Sequence, residues 1–300
     1  MIAIANDTDV AQFGMNGSIR VMEQCFIERC HGTFESPPRL HAEMPDGQLV
    51  FTAGGSSTHH VAGFRIYTTF PDDQQMTVVY DSASGHLEGF VEGSLLGAYR
   101  TASIGALSVK YMSNSDADSL GVIGSGVQAF HQALAALKVR NFSAINAHSR
   151  NPDHLHSLAN RLSNYTDVPV HELGSAVEVA SVSDVIITAT RSGSPLFSPR
   201  NVRKGAHIVA VGRKFIGNSE IDPAMADLCT VLATDSPVQL KNYHPPHIMA
   251  GKNVVDLSEI ICGNQPGRIS HEDVTMFLSV GLSGTEVMLA KAILDQKMKL

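Results

Sequence analysis

The sequence predicts an α/β protein: a Rossmann-type, doubly wound parallel-sheet domain accompanied by a smaller α+β domain. Three observations lead there. A glycine turn, Gly124-Ser125-Gly126, separates a short apolar run from a helical pattern. Strand-like and helix-like segments then alternate with short connections, which builds a parallel sheet covered on both faces. Ahead of that turn lie four strand-like runs with no helix between them, so the first third is a different module.

The turn is the centre of the reading. Leu120–Ile123 is a short buried-strand pattern, and Phe130, Ala133, Leu134 and Leu137 follow at i, i+3, i+4 and i+7. Gly124 allows the tight turn, Gly126 lets backbone approach a pyrophosphate, and Ala129 replaces the third glycine of the dinucleotide fingerprint. Amides of Val127 and Gln128 at the helix start, with Ser125 beside them, are placed to hold phosphates. Phe142–Ala147 reads as the second strand, and it ends in His148-Ser149-Arg150 with no acid to take a ribose 2′-hydroxyl. A hydroxyl followed by a guanidinium suits a 2′-phosphate, so NADP(H) is expected ahead of NAD(H), with Ser149 and Arg150 as its contacts.

The other elements follow in chain order. Asp7-Thr8-Asp9 is a capping candidate, and a helix is expected over 17–31 because Gly14 and Gly17 interrupt the earlier part of the apolar pattern. Glu35–Arg39 is a loop, since its two prolines exclude helix and central strand. Strands are expected at Val50–Ala53, Val61–Phe70, Met76–Tyr80 and His86–Val91, forming an antiparallel sheet. Gly93–Met112 reads as a long helix, and the polar run Asn114–Asp118 as a boundary. Helices at 126–138, 152–163 and 176–180 alternate with strands near 167–171, 184–189 and 206–211, and Val231–Thr234 is expected to be the last strand. Val274–Ser279 and Val287–Leu294 look helical and are expected to return to the first module. The expected domains are therefore 1–115 with 275–300, and 116–274.

Composition narrows the partners. A 300-residue chain with 43% hydrophobic and 17% charged residues has ample material for sizeable cores. A formal charge of −7, with no segment dense in Lys and Arg, argues against nucleic acid or an anionic membrane. Cys25, Cys30, Cys229 and Cys262 lack CxxC spacing, and the start has no signal-peptide pattern, so a cytoplasmic protein with reduced thiols is expected. His59-His60 and His244-Pro245-Pro246-His247 have no accompanying ligands at metal spacing and read as surface or loop histidines. Ser125 and Ser192 lack a nucleophile-elbow context.

Several separated segments together resemble the ornithine cyclodeaminase/μ-crystallin family. They are Gly63–Pro71, Gly97–Ala102 with its Arg100-Thr101, Leu120–Ala129, Gly205–Gly212, Ser219–Asp222 and Phe277–Gly281, in the family's order over most of the chain. The resemblance implies a homodimer whose first module supplies substrate contacts and the dimer interface. It implies chemistry on small amino or imino acids, with Arg100 binding the substrate carboxylate and Arg39 as a second substrate-side arginine. It adds Thr101, Thr188, Val211, Ser279 and Gly281 to the expected cofactor contacts.

Two departures from the family pattern bear on the reaction. Arg65 stands where the family usually carries lysine, and an arginine stays charged where a buried lysine can release a proton. Arg65 therefore suits a carboxylate clamp. Lys214 takes the place of the aspartate that serves ammonia loss in cyclodeaminases; an ammonium cannot accept a proton or stabilise an iminium as a carboxylate does. The expectation is an NAD(P)H-dependent reductase of a small 2-imino acid, such as iminosuccinate or pyrroline-2-carboxylate, with Arg65 and Lys214 nearest the chemistry. A cyclodeaminase-type lyase with bound NAD and a non-catalytic NADPH-binding protein stay open beside it.

Overall fold

Asn6 starts the first helix by accepting from the Thr8 amide while Asp9 reaches back to the Asn6 amide. The computed structural model describes residues 2–72 and 74–299, and it divides into two compact units, Met1–Ser103 with Gly281–Leu300 and Ile104–Val280.

In unit 1 the order is β1 (Ala3–Ala5), α1 (Asp7–Cys30), β2 (Phe34–Glu35), β3 (Leu40–Met44), β4 (Gly47–Ser56), β5 (Val61–Thr68), β6 (Gln75–Asp81) and β7 (Leu87–Glu92). The helix α2 (Leu95–Met112) then leads out of the unit. The sheet order is β1-β7-β6-β5-β4-β2, with β3 also on β4; β1 runs parallel to β7 and the other pairs are antiparallel. Helix α1 begins ten residues before the expected 17, because Gly14 (φ 79°) lets the chain kink without ending the helix. Strands β1 and β3 were not expected; β1 has only three residues, and β3, although Leu40, Ala42 and Met44 alternate with polar residues, is exposed throughout.

The tail helix α9 (Thr285–Lys297) covers this sheet, burying Val287, Met288, Leu289, Ala290, Ile293 and Leu294. Close approach depends on missing side chains. A Cβ on Gly63 of β5 would lie 2.8 Å from Val287 Cγ1, and one on Gly54 of β4 would lie 2.8 Å from the Cα of Gly284. Gly63 and Arg65 share a face of β5 by the two-residue period, so the space left at Gly63 brings the start of α9 over Arg65.

Unit 2 contains β8 (Ser119–Ile123), α3 (Val127–Ala136), β9 (Ala144–His148), α4 (Pro152–Ser163), β10 (Val170–Glu172), α5 (Ala176–Val182), β11 (Val185–Thr188) and β12 (His207–Ala210). A small hairpin, β13 (Lys214–Phe215) and β14 (Asn218–Ser219), follows, then α6 (Met225–Leu228), β15 (Val231–Thr234), α7 (Pro237–Lys241), β16 (Val255–Asp256), α8 (Leu257–Ile261) and β17 (Thr275–Leu278). The main sheet is parallel throughout, in the order β10-β9-β8-β11-β12-β17-β15-β16. Strand order reverses direction at β8, which is the switch point where ligands bind in open α/β sheets.

Two expectations fail here. Val274–Ser279, read as helix, contains β17, a fully buried strand between β12 and β15; a short, continuous apolar run carries no period to separate the two states. Val231–Thr234 is a strand, but β16 and β17 come after it. The division of the chain also differs from the expected boundaries. It falls at 103/104, inside α2, because the helix runs on past it, and at 280/281, because β17 belongs to the parallel sheet.

Candidate functional site

The cofactor candidates of unit 2 gather at one edge of its sheet. Gly124, Ser149, Thr188, Val211 and Ser279 all stand at or just beyond the carboxyl ends of β8, β9, β11, β12 and β17. Backbone bonds lace this edge: Gly124 N–H to His148 O at 2.9 Å, Ala189 to Ile123 at 2.9 Å, Val211 to Thr188 at 2.8 Å and Ser279 to Ala210 at 3.0 Å. Gly124 has φ 120°, and a Cβ there would press into the Ala189 carbonyl oxygen. Gly126 differs. It is the N-cap of α3 in extended conformation, and a Cβ there would meet no protein atom within 4 Å. No protein neighbour therefore explains this glycine, and its bare face leaves the amides of α3 open to a ligand.

The edge also offers polar atoms in need of partners. Thr188 Oγ1 and Gln128 Oε1 are buried without hydrogen bonds. Ser125 Oγ and Ser149 Oγ are 2.8 Å apart, which ties the glycine turn to the end of β9, while Arg150 is exposed. These residues fit a dinucleotide.

Lys214 is 2% exposed, on β13, with its ammonium donating to the Gly212 carbonyl oxygen. Two buried carboxylates that the sequence reading did not single out support this region. Glu220 accepts from Gly212 N–H at 2.8 Å, from Thr190 N–H at 2.8 Å and from Thr190 Oγ1 at 2.6 Å, joining the segments after β11 and β12. Asp235 accepts from Val280 N–H at 2.8 Å. His247, read as a surface or loop histidine, lies outside the named helices and strands and is fully buried. Burial, with Lys214 adding to it, pushes its pKa down to about 3, and Nδ1 accepts from the Met249 amide at 3.0 Å, so the neutral ring carries its proton on Nε2. His207 in β12 is a core histidine held by Ser108 at 3.1 Å and Thr275 at 2.9 Å.

Unit 1 brings the three expected arginines together around a residue that sequence reading missed. Glu286, in the first turn of α9 and 1% exposed, accepts from Arg100 Nη2 at 2.9 Å and Arg65 Nη1 at 3.3 Å through the same oxygen. Arg65 also donates to Gln75, and its guanidinium lies 4.4 Å from the Tyr67 ring centroid. Its other neighbour is Gly97 of α2, where a Cβ would come within 2.6 Å of Arg65 Nη2. Arg100 sits one turn further along α2, and Thr101 donates to the Gly97 carbonyl at 2.9 Å. Gly281, at φ 92°, has room for no side chain: a Cβ would overlap Arg39 Nη2 and lie 3.6 Å from Arg100 Nη1. Burial alone would raise the Glu286 pKa, yet Arg100, Arg65 and Arg39 together hold it below the usual carboxylate range. Burial lowers the Arg65 pKa from its ordinary value, with Glu286 opposing. Arg100 Nε is buried with no acceptor. Such a cluster can hold a carboxylate.

Among the described residues, no group of His, Cys, Asp and Glu could hold a metal ion, and no helix is long and apolar enough to cross a membrane.

Known proteins match this chain along most of its length. Iminosuccinate reductase of Paracoccus denitrificans is 27% identical over 269 residues, covering 83% of this chain and 81% of that protein. Its structure in complex with NAD+ superposes with a TM-score of 0.88 at 26% identity, over 99% of this chain and 97% of that one. Thermococcus litoralis Δ1-pyrroline-2-carboxylate reductase, solved with NADH and L-proline, has a TM-score of 0.89 at 23% identity, covering 99% and 98%. An archaeal alanine dehydrogenase dimer with bound NAD reaches 0.90 at 21% identity, covering 99% and 96%. With a glycine turn at the switch point, an arginine cluster beside its buried carboxylate, and a family model matched over residues 1–299, the chain belongs to the ornithine cyclodeaminase/mu-crystallin family.

Proposed function

We propose that the protein is an NADPH-dependent reductase of a small 2-imino acid. The observation that carries this is the buried Arg65–Glu286–Arg100 fork, with an unpartnered Arg100 Nε, in a chain whose second unit has a dinucleotide edge. Relatives named as imine reductases support it.

A bound reduced nicotinamide supplies the hydride for the C=N carbon. The chain does the rest. Arg100, with Arg39 and Arg65, fixes the substrate carboxylate in position and plane through paired N–H donors. Glu286 offsets part of their positive charge, which would otherwise disfavour a protonated imine. Arg65 stays protonated and acts as a clamp; Lys214 is the ammonium assigned to proton supply. Gly124, Ser125, Gly126 and the amides of Val127 and Gln128 hold the phosphates, and Thr101, Thr188, Val211, Ser279 and Gly281 line the rest of the cofactor's path. Ser149 and Arg150 select the 2′-phosphate of NADP(H) over NAD(H). The lyase reading loses ground because position 214 holds a buried ammonium. Unit 1 is assigned the substrate contacts and the contact surface of a homodimer, in keeping with the dimeric alanine dehydrogenase.

The test is oxidation of NADPH and NADH against 2-oxo acids with ammonia or methylamine and against preformed cyclic imines. Turnover faster with NADPH is expected. Cofactor binding without turnover across the panel would replace this reading with that of a binding protein. Lys214→Met should lower kcat by roughly 100-fold, the usual range for losing a positioned proton donor, with NADPH affinity retained.

A further inference from the structure

A lysine on its flexible stem delivers a proton to one atom only where its ammonium is held. For Lys214 a holding contact is internal: Nζ donates to the Gly212 carbonyl oxygen, two residues back. Where that carbonyl points therefore helps decide where the ammonium sits. The backbone from Lys214 onward is fixed by the segment 246–248, through Ile248 N–H to Lys214 O and Ile216 N–H to Pro246 O, both at 2.9 Å. Those bonds lie past Gly212 in the chain and leave its orientation to another partner.

That partner is Glu220, which is 1% exposed. Its Oε1 accepts from Gly212 N–H at 2.8 Å, and its own N–H donates to Arg213 O at 3.0 Å. One residue thus grips the chain on both sides of the Gly212 carbonyl. The grip is anchored, because Oε2 accepts from Thr190 N–H at 2.8 Å and Thr190 Oγ1 at 2.6 Å, on the segment that follows β11. Gly212 is glycine to permit this approach: a Cβ there would lie 2.3 Å from Oε2 and 2.5 Å from Oε1. Three donors converge on two oxygens, and a carboxylate, which only accepts, satisfies all three. A loop staple alone would bear on stability. This one ends on the residue that receives Lys214 Nζ, so it also sets the ammonium.

We propose that Glu220 is a positioning residue for the reaction, aiming the Lys214 ammonium at the imine nitrogen through Gly212. This rests on the imine-reductase reading and on the proton role given there to Lys214. In that reaction the hydride goes to the imine carbon and the Lys214 proton to nitrogen. The products are the amino acid, the oxidised nicotinamide and a neutral lysine amine that regains its proton from water. Glu220 takes part only through Lys214.

Steady-state kinetics on the full-length protein test this, with NADPH and whichever imine of the panel is turned over fastest. Glu220→Gln puts an amide NH2 where Gly212 or Thr190 donates, which displaces the Gly212 carbonyl. A misplacement of about 1 Å costs about 100-fold in rate, so kcat should fall by about 10- to 100-fold while KM and NADPH affinity hold. Glu220→Asp, which keeps both acceptors on a shorter stem, should recover part of the loss. Adding Glu220→Gln to Lys214→Met should lower kcat no further than Lys214→Met alone, whereas independent effects would multiply. Differential scanning fluorimetry checks folding, and Glu220→Asp carries the same comparisons if Glu220→Gln does not fold. Wild-type kcat in a folded Glu220 variant, a loss seen in KM or NADPH affinity instead of kcat, or multiplying losses in the double variant overturns the positioning role and leaves the reductase intact. Wild-type kcat in Lys214→Met, or no turnover of any imine by the wild-type protein, overturns the reading beneath it and the role with it.

Discussion

Gly124 and Gly126 sit two residues apart in one turn, and the structure gives them separate reasons to be glycine. Alanine at each separates fold from ligand. At 124, φ is 120°, a region that costs an L-residue about 1–2 kcal/mol, and the new Cβ would also press against the Ala189 carbonyl oxygen. Together these predict a loss of about 2–4 kcal/mol, which lowers Tm by roughly 4–16 °C for a unit of this size. At 126 the backbone is extended (φ −81°, ψ −174°) and the added methyl meets nothing. Alanine there gains a few tenths of a kcal/mol from the unfolded chain and loses a similar amount as a poorer N-cap, so Tm should hardly move. That methyl does stand where a phosphate would approach the α3 amides, and NADPH affinity should fall by about tenfold or more, or about 1.4 kcal/mol. Differential scanning fluorimetry gives the first quantity and nicotinamide fluorescence titration the second. Wild-type NADPH affinity in Gly126→Ala would refute the phosphate cradle. An unchanged Tm in Gly124→Ala would refute the steric reasoning.

Three further outcomes follow from the same structure. Arg100→Ala should raise KM for the carboxylate substrate by about 10- to 100-fold, with NADPH affinity nearly constant; a parallel loss of NADPH binding would move the substrate site elsewhere. Arg150→Ala should weaken NADPH by about tenfold and leave NADH unchanged, since only the former carries a 2′-phosphate; titrations with both cofactors decide it. His207 has its pKa pushed to about 3 by burial, helped by Arg268 and Arg140, so the unfolded chain takes up its proton near pH 6.5 while the folded one does not. Stability should therefore drop as pH falls from about 6.5 toward 3, by up to about 1.4 kcal/mol per pH unit from this group, and His207→Asn should flatten that slope in urea titrations at pH 5 and pH 7.

The carboxyl-end edge of the parallel sheet was largely readable in the sequence because its signals are local. A glycine turn, its flanking strand and helix, and the residues closing the next strand lie within Leu120–Arg150, and the structure sets them at one edge. Arg39, Arg65 and Arg100 were readable as residue types at family positions, but their partner was not. Glu286 lies 221 residues from Arg65, in a helix whose own pattern says only that it is buried on one side. No local period announces such a pairing; it depends on Gly63 and Gly54 letting α9 approach. The misread β17 shows the opposite limit, since four buried residues in a row fit a strand or part of a helix equally. His247 was read as a surface or loop histidine from its neighbouring prolines; it lies in irregular backbone but is buried, because irregular backbone does not imply exposure.

The late position of α9 in the chain has a consequence for biosynthesis. Unit 2 is continuous from Ile104 to Val280, so its whole chain is synthesised before the helix that completes unit 1. The sheet of unit 1 must wait with the face meant for Val287, Leu289, Ala290 and Ile293 uncovered, a state in which apolar strands invite misassociation. Arg65 and Arg100 spend that interval solvated and mutually repelling, and they are drawn together only when Glu286 arrives. The Arg65–Glu286–Arg100 cluster thus cannot form until residue 286 has been made, however early the rest of its sheet is synthesised.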